Sequence, residues 1–501
     1  MKRSLPKYEI PDEVSHVAKT LGDKGFEAYL VGGCVRDLLI NKKPKDWDFT
    51  TNATPEQIIA SFSKTFYEND YGTVGVVNET TEDETLKVIE VTPYRLEAKY
   101  SNSRHPDSVA FSKNLSEDLK RRDFTCNAIA FKIGRKLDEN TYSVEITDPF
   151  GGIEDINKST IRAVGNPKDR FDEDTLRILR AVRLATETGF TINKETMDGI
   201  VEIAQKLRLI AKERIRDEFV RIIMSDRPME GLIMAEKLGI LEYIALPLKD
   251  SVGIKQNQAH SYDVWEHTLR ALQHSADKKF PLETRLSSLF HDIGKPPTRE
   301  FSHETNDWTF YGHDVVGAKI TTKILADLKF PKKIIDKVVN LVRWHMFFSD
   351  TDVITLSAVR RLVAKVGKEN VWDLMDVRIC DRIGTGRPKE SPYRLRKYRS
   401  MIEEVMRDPI SVSMLNIKGG EIMEICKLPP GKKIGFILNA LLEEIMDNPE
   451  LNTKEYLSKR AVEMSSLPEA EIEKLGEKGK DRKEKEEEKT IQEIRKKYYV
   501  K

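Results

Sequence analysis

No run of about 18 apolar residues occurs anywhere in this 501-residue chain, so none of it reads as a membrane-crossing helix. Cysteine is scarce. The four residues, Cys34, Cys126, Cys380 and Cys426, stand far apart and form no Cys-x-x-Cys pair. That argues against a disulfide framework or a zinc knuckle and fits buried thiols in a reducing compartment. An excess of either charge is missing too, with 83 Lys plus Arg against 82 Asp plus Glu and a net charge of +1. The whole chain therefore supplies no net attraction to a polyanion, and any surface of that kind has to be a local basic patch. The opening MKRSLPKYEIPDEVSHVAK lacks the apolar stretch of a signal peptide, and the expected location is the cytoplasm with no membrane partner. No internal repeat is found.

What is present is a globular composition, 39% hydrophobic and 33% charged, in a chain too long for one ordinary core. Residues 11–24 carry the apolar spacing of an amphipathic helix, followed by a strand at Ala28–Val31. GGCVRDLLI reads as a glycine turn opening a short helix. DWDFTT, TVGVVN, LKVIEVTPY and VEIT are β-branched runs bounded by turn residues, hence strands of a small sheet. From about Phe171 to Glu242 the apolar residues take helical spacing; EDTLRILRAVRLATETGF is one helix ending near Gly189, and AKERIRDEFVRIIM is another. A third segment, about 250–390, is helical and holds seven of the nine histidines: His260, His267, His274, His291, His303, His313 and His345. Helices continue over about 400–465, interrupted by LPPGKKIG. The end of the chain is dense in both charge signs and reads as a solvated helix or a disordered tail.

Asp46-Trp47-Asp48 carries the first chemical signal. On a strand the two carboxylates project to one face, where like charges repel unless a cation lies between them. Hard oxygen donors favour magnesium together with substrate phosphates. Gly32-Gly33 lets backbone approach a triphosphate, and Arg36 stands by as a phosphate clamp. An isolated Asp-x-Asp is more often a turn or a surface feature. The glycine pair, Arg36, Lys45 and the strand context together reverse that preference in favour of two-metal nucleotidyl transfer.

A second cluster, SEDLKRRDFTCNAIAF, offers Arg121 and Arg122 for a triphosphate or ribose, with Asp123 and Asn127 ordering the segment. Alone, it also reads as a charged loop before a strand. A third, RFDEDTLRILRAVRLA, places Asp174 and Arg177 three apart on a helix and so on one face. Ionised Asp accepts and Arg donates. That order suits the amino group and ring nitrogen shared by cytosine and adenine, and it mismatches guanine and uracil. Arg180 and Arg183 extend the spacing into a basic ridge. An exposed Asp–Arg ion pair, worth about 0.3–0.5 kcal/mol, is the simpler reading of the third cluster taken by itself.

Assembled, these stretches resemble the class II CCA-adding enzymes, tRNA nucleotidyltransferases of the polymerase-β superfamily. LVGGCVRDLL…KDWDFTTNATPEQI looks like that family's metal and nucleotide motif, RRDFTCNAIA its second motif, FDEDTLRILRAVRLA its template helix and ERIRDEF the helix after it. The resemblance runs from about residue 20 to 460. It implies an α+β fold, with a small mixed-sheet head at 1–160 and a helical neck at 161–245. After these come an HD domain at 246–395, a helical tRNA-binding region at 396–465 and a charged tail at 466–501. It further implies Asp46 and Asp48 as catalytic Mg2+ ligands, with Gly33, Arg36 and Arg121 or Arg122 contacting nucleotide. Asp174 and Arg177 would read the base, with Arg180 and Arg183 nearby. CTP, ATP and tRNA are the implied partners, without an obligate protein partner. EVTPYRLEAKYSNSRHPDSVAF resembles the loop needed to switch from C to A addition, which argues against a CC-only enzyme. Cys126 and Leu184 depart from the family's usual aliphatic and aromatic residues. Bacterial poly(A) polymerases share the catalytic motifs and form one alternative. A phosphohydrolase with a non-catalytic RNA-binding head is another.

WEHTLRAL, LFHDIGKP, YGHDVVGA, RWHMFF and ICDRIGTGRP resemble an HD domain. The resemblance implies His267, His291, Asp292 and Asp381 around one divalent metal, extended by His313 and His345. Mixed imidazole and carboxylate donors suit a transition ion such as nickel or manganese, and such a site hydrolyses phosphate esters.

Overall fold

The computed structural model describes residues 5–67, 72–95, 111–258, 261–347 and 354–476. Most of the segment read as a switching loop (96–110), His260 and the tail from 477 lie outside the described residues. The chain divides into two compact units, Met1–Leu246 and Pro247–Lys501, each described by itself.

The first unit is built on an eight-stranded sheet. In chain order the strands are β1 (Lys7–Glu9), β2 (Ala28–Val31), β3 (Asp48–Thr51), β4 (Thr65–Tyr67), β5 (Val74–Val77), β6 (Val88–Pro93), β7 (Ala130–Asp138) and β8 (Thr141–Thr147), and they lie in the order β1-β8-β7-β2-β3-β6-β5-β4. Only β3 and β6 run parallel; the other pairs are antiparallel, so the sheet is mixed. In β6 the side chains of Ile89, Val91 and Pro93 are buried while Val88, Glu90 and Thr92 are not, the period-two pattern of a strand with one face on a core. Helix Asp12–Asp23 buries Val14, Val17 and Leu21, the narrow apolar stripe expected of its sequence.

The helical part of this unit corrects one expectation. The helix read from EDTLRILRAVRLATETGF begins only at Arg177 and runs to Thr188; Glu173 closes a separate helix, Pro167–Glu173, and Asp174 between the two is extended, at φ −140° and ψ 101°. The cause is local. The Asp174 side chain accepts the Leu176 N–H at 3.1 Å, an Asx-type turn that competes with helical pairing. The second helix ends at Gly189, whose φ of 77° is left-handed and free of a Cβ penalty.

The second unit is helical. Helices Val264–Asp277, Leu282–Phe290, His313–Asp327, Lys332–Trp344 and Val371–Gly384 surround the histidine cluster, and one short hairpin pairs Glu300–Ser302 with Asp307–Thr309. Beyond them one core gathers Val359, Leu374, Tyr398 and Ile402. Another gathers Ile422, Ile437, Leu441 and Leu457, drawn from helices Gly419–Cys426, Lys432–Asp447 and Lys454–Ser465. No helix among the described residues is long and apolar enough to cross a membrane.

Candidate active site and metal centre

β2 ends at Val31 and hands the chain to Gly32, which sits at φ 78°, before the helix Gly33–Leu39 begins. A Cβ on Gly32 would lie 3.4 Å from both Asp48 Oδ2 and Arg122 Nη1; one on Gly33 would lie 3.7 Å from Asp46 Oδ1 and Arg36 Nη2. The glycines thus line a bare turn flanked by two carboxylates and two guanidiniums. Asp46 is not on the strand, which begins at Asp48, so alternation along a strand is not what aligns the pair. The two acids are brought to the turn by the chain's path around Trp47, whose ring is buried.

Two residues of this corner were not singled out in the sequence. Glu90 of β6 is in direct register with Asp48 of β3, which brings a third carboxylate to the same sheet face. Its signal was the single acid inside the apolar strand KVIEVTPY. Asp118 is fully buried. It accepts from Arg121 Nε and Nη2 at 2.8 and 2.6 Å, from Arg122 Nη2 at 3.1 Å and from Thr50 Oγ1 at 3.2 Å. Burial would raise its pKa, but Arg122 and Arg121 outweigh that and hold it below the usual carboxylate value. Asp118 therefore anchors both arginines to β3. Arg122 reaches the glycine turn, whereas Arg121 turns to Asp118. Arg36 donates to Asp37 Oδ1 at 2.9 and 2.7 Å and to Asn127 Oδ1 at 2.9 Å, which fixes its guanidinium beside the same turn.

At the third cluster, Asp174 and Arg177 are neighbours across a turn, not on one helical face: the Arg177 N–H donates to the Asp174 carbonyl at 3.0 Å. The Asp174 carboxylate also accepts from Arg214 Nη2 at 3.1 Å. Arg177 donates to Glu173 Oε2 at 2.8 Å and to the Arg121 carbonyl at 3.1 Å, tying this turn to the second cluster. Arg180 and Arg183 do not form an open basic ridge. Arg180 lies 2.6 Å from the Asp123 carboxylate, and Arg183 donates to both Glu218 oxygens at 2.9 Å. Each arginine is neutralised by an acid from another element, which helical spacing alone does not reveal.

In the second unit four imidazoles converge. His267 lies on Val264–Asp277, His291 and Asp292 follow Leu282–Phe290, His313 opens its helix, His345 follows Lys332–Trp344 and Asp381 lies on Val371–Gly384. Nε2 of His267 is 3.0 Å from Asp292 Oδ2 and 3.4 Å from Asp381 Oδ1; Nε2 of His291 is 3.2 and 3.7 Å from the same atoms. His313 and His345 face the other oxygen, Asp292 Oδ1, at 3.3 and 3.7 Å. Burial pushes His345 down to about 4, so its ring is neutral near pH 7. Burial also works against ionised Asp292 and Asp381. His291 and Lys295 overcome it for Asp292, and Arg378 with the histidines for Asp381, holding both well below the usual value. Lys295, buried with Nζ 2.6 Å from Asp292 Oδ2, is a third residue not singled out in the sequence. His274 and His303 stand apart, beside Glu390 and Phe301. The head thus offers oxygen donors alone, and this centre offers buried nitrogen and oxygen together. Both sets fit divalent cations, of different hardness.

Comparison with known proteins places these sites in context. A family described as the poly A polymerase head domain matches residues 28–162, a probable RNA and SrmB-binding site of polymerase A matches 189–250, and the HD domain matches 258–385. The chain is 32% identical over 431 residues to a CC-adding tRNA nucleotidyltransferase of Thermus thermophilus, covering 83% of this chain and 89% of that one. It is 30% identical over 451 residues to a CCA-adding enzyme of Leuconostoc mesenteroides, covering 88% and 94%. The crystal structure of the Bacillus stearothermophilus CCA-adding enzyme in complex with CTP matches with a TM-score of 0.65 and 27% identity, covering 90% of this chain and 96% of that one.

Proposed function

We propose, from the premise that this chain belongs to the CCA-adding tRNA nucleotidyltransferase family, that its head adds C, C and A from CTP and ATP to tRNA 3′ ends without a nucleic-acid template. The observation that carries this reading is the convergence of Asp46, Asp48 and Arg122 on the side-chain-free turn Gly32-Gly33. Asp46 and Asp48 would hold magnesium. When bound there, that ion supplies acidification of the attacking 3′-hydroxyl and neutralisation of the departing pyrophosphate. The chain's own part is to bind and orient. The glycine turn admits the phosphates close to backbone, with Arg122 and Arg36 beside it as positive charge, and Asp118 keeps Arg121 and Arg122 in place.

Asp174 and Arg177 are our base readers, although they meet across a turn and already hold protein partners. Exchange of those partners for a base edge would present an acceptor beside a donor, the order that C and A share. A site built this way rejects a base of opposite order by roughly 10⁴-fold. The neck would thus select the base, and residues 396–465 would grip tRNA by shape and phosphate contacts, making binding salt-dependent. The HD centre, with transition ions such as nickel or manganese, would hydrolyse phosphate esters as a second activity.

The test is a gel assay with tRNA ending before its CCA, magnesium and each nucleotide alone or combined. The expected result is two additions with CTP, a third with CTP and ATP, and none with GTP or UTP. Open-ended adenylate tails would overturn it in favour of a poly(A) polymerase. Asp174→Ala and Arg177→Ala are each expected to shrink the preference over GTP and UTP by roughly 10²-fold or more. Equal loss for all four nucleotides would assign the two residues to holding the turn alone.

A further inference from the structure

We propose, building on the reading of the second unit's histidine centre as one that holds a divalent transition ion, that Gln256 is a positioning residue for that centre. It seats the Lys295 ammonium against Asp292 and so fixes the carboxylate that the imidazoles face. Gln256 belongs to no motif singled out in the sequence; it stands in GIKQNQ, ahead of the helix Val264–Asp277 that carries His267. The residue is buried and both of its polar side-chain atoms are engaged. Nε2 donates to the Tyr262 and Asp263 carbonyls at 3.1 and 3.3 Å, and Oε1 accepts from Lys295 Nζ at 2.6 Å. Turned over, the amide would set its NH2 against an ammonium and its oxygen against two carbonyl oxygens. Only one orientation satisfies both ends, and it aims an acceptor at Lys295.

The charged end of Lys295 is buried among Asp292, Gln256 and the Phe310 ring. Nζ lies 2.6 Å from Asp292 Oδ2 and 5.5 Å from the centre of that ring, within cation–π reach. An ammonium held here selects one rotation of the Asp292 carboxylate, the one in which Oδ2 faces His267 and His291 at 3.0 and 3.2 Å and Oδ1 faces His313 at 3.3 Å. It also competes with a divalent ion for Oδ2. Gln256 limits that competition by taking a share of the ammonium's hydrogen bonding, since a buried charged donor short of one acceptor presses harder on the acceptor that remains. Orientation and competition thus act in the same direction: without Gln256, Asp292 is the poorer ligand. Hydrogen-bond partners of ligating groups typically change metal affinity by roughly 10–100-fold.

A plainer role for Gln256 would be to pin the chain ahead of the His267 helix, but that chain is pinned without the amide. Asp263 caps the helix, its Oδ1 accepting from the Glu266 N–H at 2.7 Å, and its Oδ2 accepts from the Gly253 N–H at 2.9 Å. The Val264 N–H donates to the Ile254 carbonyl at 3.0 Å, and the His267 N–H to the Asp263 carbonyl at 3.1 Å. These bonds seat the helix start whatever side chain residue 256 carries. What the Gln256 amide adds is the link from that start to Lys295.

The test reads ion affinity and does not depend on turnover. A parent chain, full-length and carrying Asp46→Asn and Asp48→Asn so that the head lacks its acid pair, is stripped with chelator and titrated with Mn2+. The free ion is read from its paramagnetic resonance signal. Gln256→Leu is expected to weaken Mn2+ binding by roughly 10-fold or more, with the circular dichroism unchanged. In a Lys295→Met chain the same substitution should shift the affinity by less than about twofold, because the group it acts through is gone. Equal affinity in the Gln256→Leu and parent chains would overturn the proposal. An undiminished loss in the Lys295→Met chain would do the same, assigning Gln256 to the chain ahead of the helix. A parent that takes up no Mn2+ would overturn the ion-binding reading and this role together. If either variant fails to fold, a crystal structure of the Mn2+-loaded parent decides. Lys295 Nζ is expected within hydrogen-bond distance of both Gln256 Oε1 and Asp292 Oδ2, and an ammonium turned away from either would overturn the proposal.

Discussion

Changing Asp46 and Asp48 together to Asn is expected to lower nucleotide incorporation by roughly 10³-fold or more, since metal stabilisation of a phosphoryl transition state is worth several kcal/mol. Asn keeps the size of the side chain and removes the charge that holds a hard cation. The fold should survive. Trp47 remains buried between them, and the strand β3 keeps its pairing with β2 and β6. The measurement is single-turnover addition of one cytidylate, with circular dichroism as the control for folding. Full activity in the double variant would remove this corner from the chemistry.

The second large effect concerns stability. Arg183 and Glu218 are buried together, 10% and 9% exposed at the side chain, on helices Arg177–Thr188 and Lys212–Met224. Burial dominates both groups, raising the Glu218 pKa and lowering that of Arg183, so desolvation offsets much of their attraction. Removing Glu218 leaves Arg183, in a site largely closed to water, with only the more distant Glu187 carboxylate at 3.7 Å as counter-ion. Glu218→Ala is therefore expected to destabilise the first unit by about 3–5 kcal/mol, a fall in melting temperature on the order of 10 °C. Replacing the pair by Met and Leu should restore most of that loss, because no uncompensated charge remains. Calorimetry of the full chain checks both. A Glu218→Ala variant that melts with the parent would show the pair to be solvated.

The contrast between these two sites shows what the sequence carried and what it did not. The glycine turn, the acid pair and the clustered histidines were legible because each stands out as particular residue types in recognisable motifs. The strands with alternating apolar residues were legible for the same reason. β7 was missed because most of its side chains are exposed, so AFKIGRKLD has no alternation, and pairing with β2 and β8 holds it in place. The helix break at Asp174 was hidden because a side-chain turn overrode a continuous apolar period. Asp118, Glu90 and Lys295 act through contacts or register across the fold. So do the acids that neutralise Arg180 and Arg183, and no local spacing encodes such partners. Periodicity reports which face is buried, not which distant charge meets it there.

In the proposed reaction the Gly32-Gly33 turn and its two acids receive the triphosphate. The most direct measurement is a crystal structure of the chain with CTP and magnesium. The triphosphate is expected to lie along the bare turn, with density for a divalent ion between its oxygens and those of Asp46 and Asp48. A triphosphate bound elsewhere, with both carboxylates facing away from it, would remove Asp46 and Asp48 from the reaction.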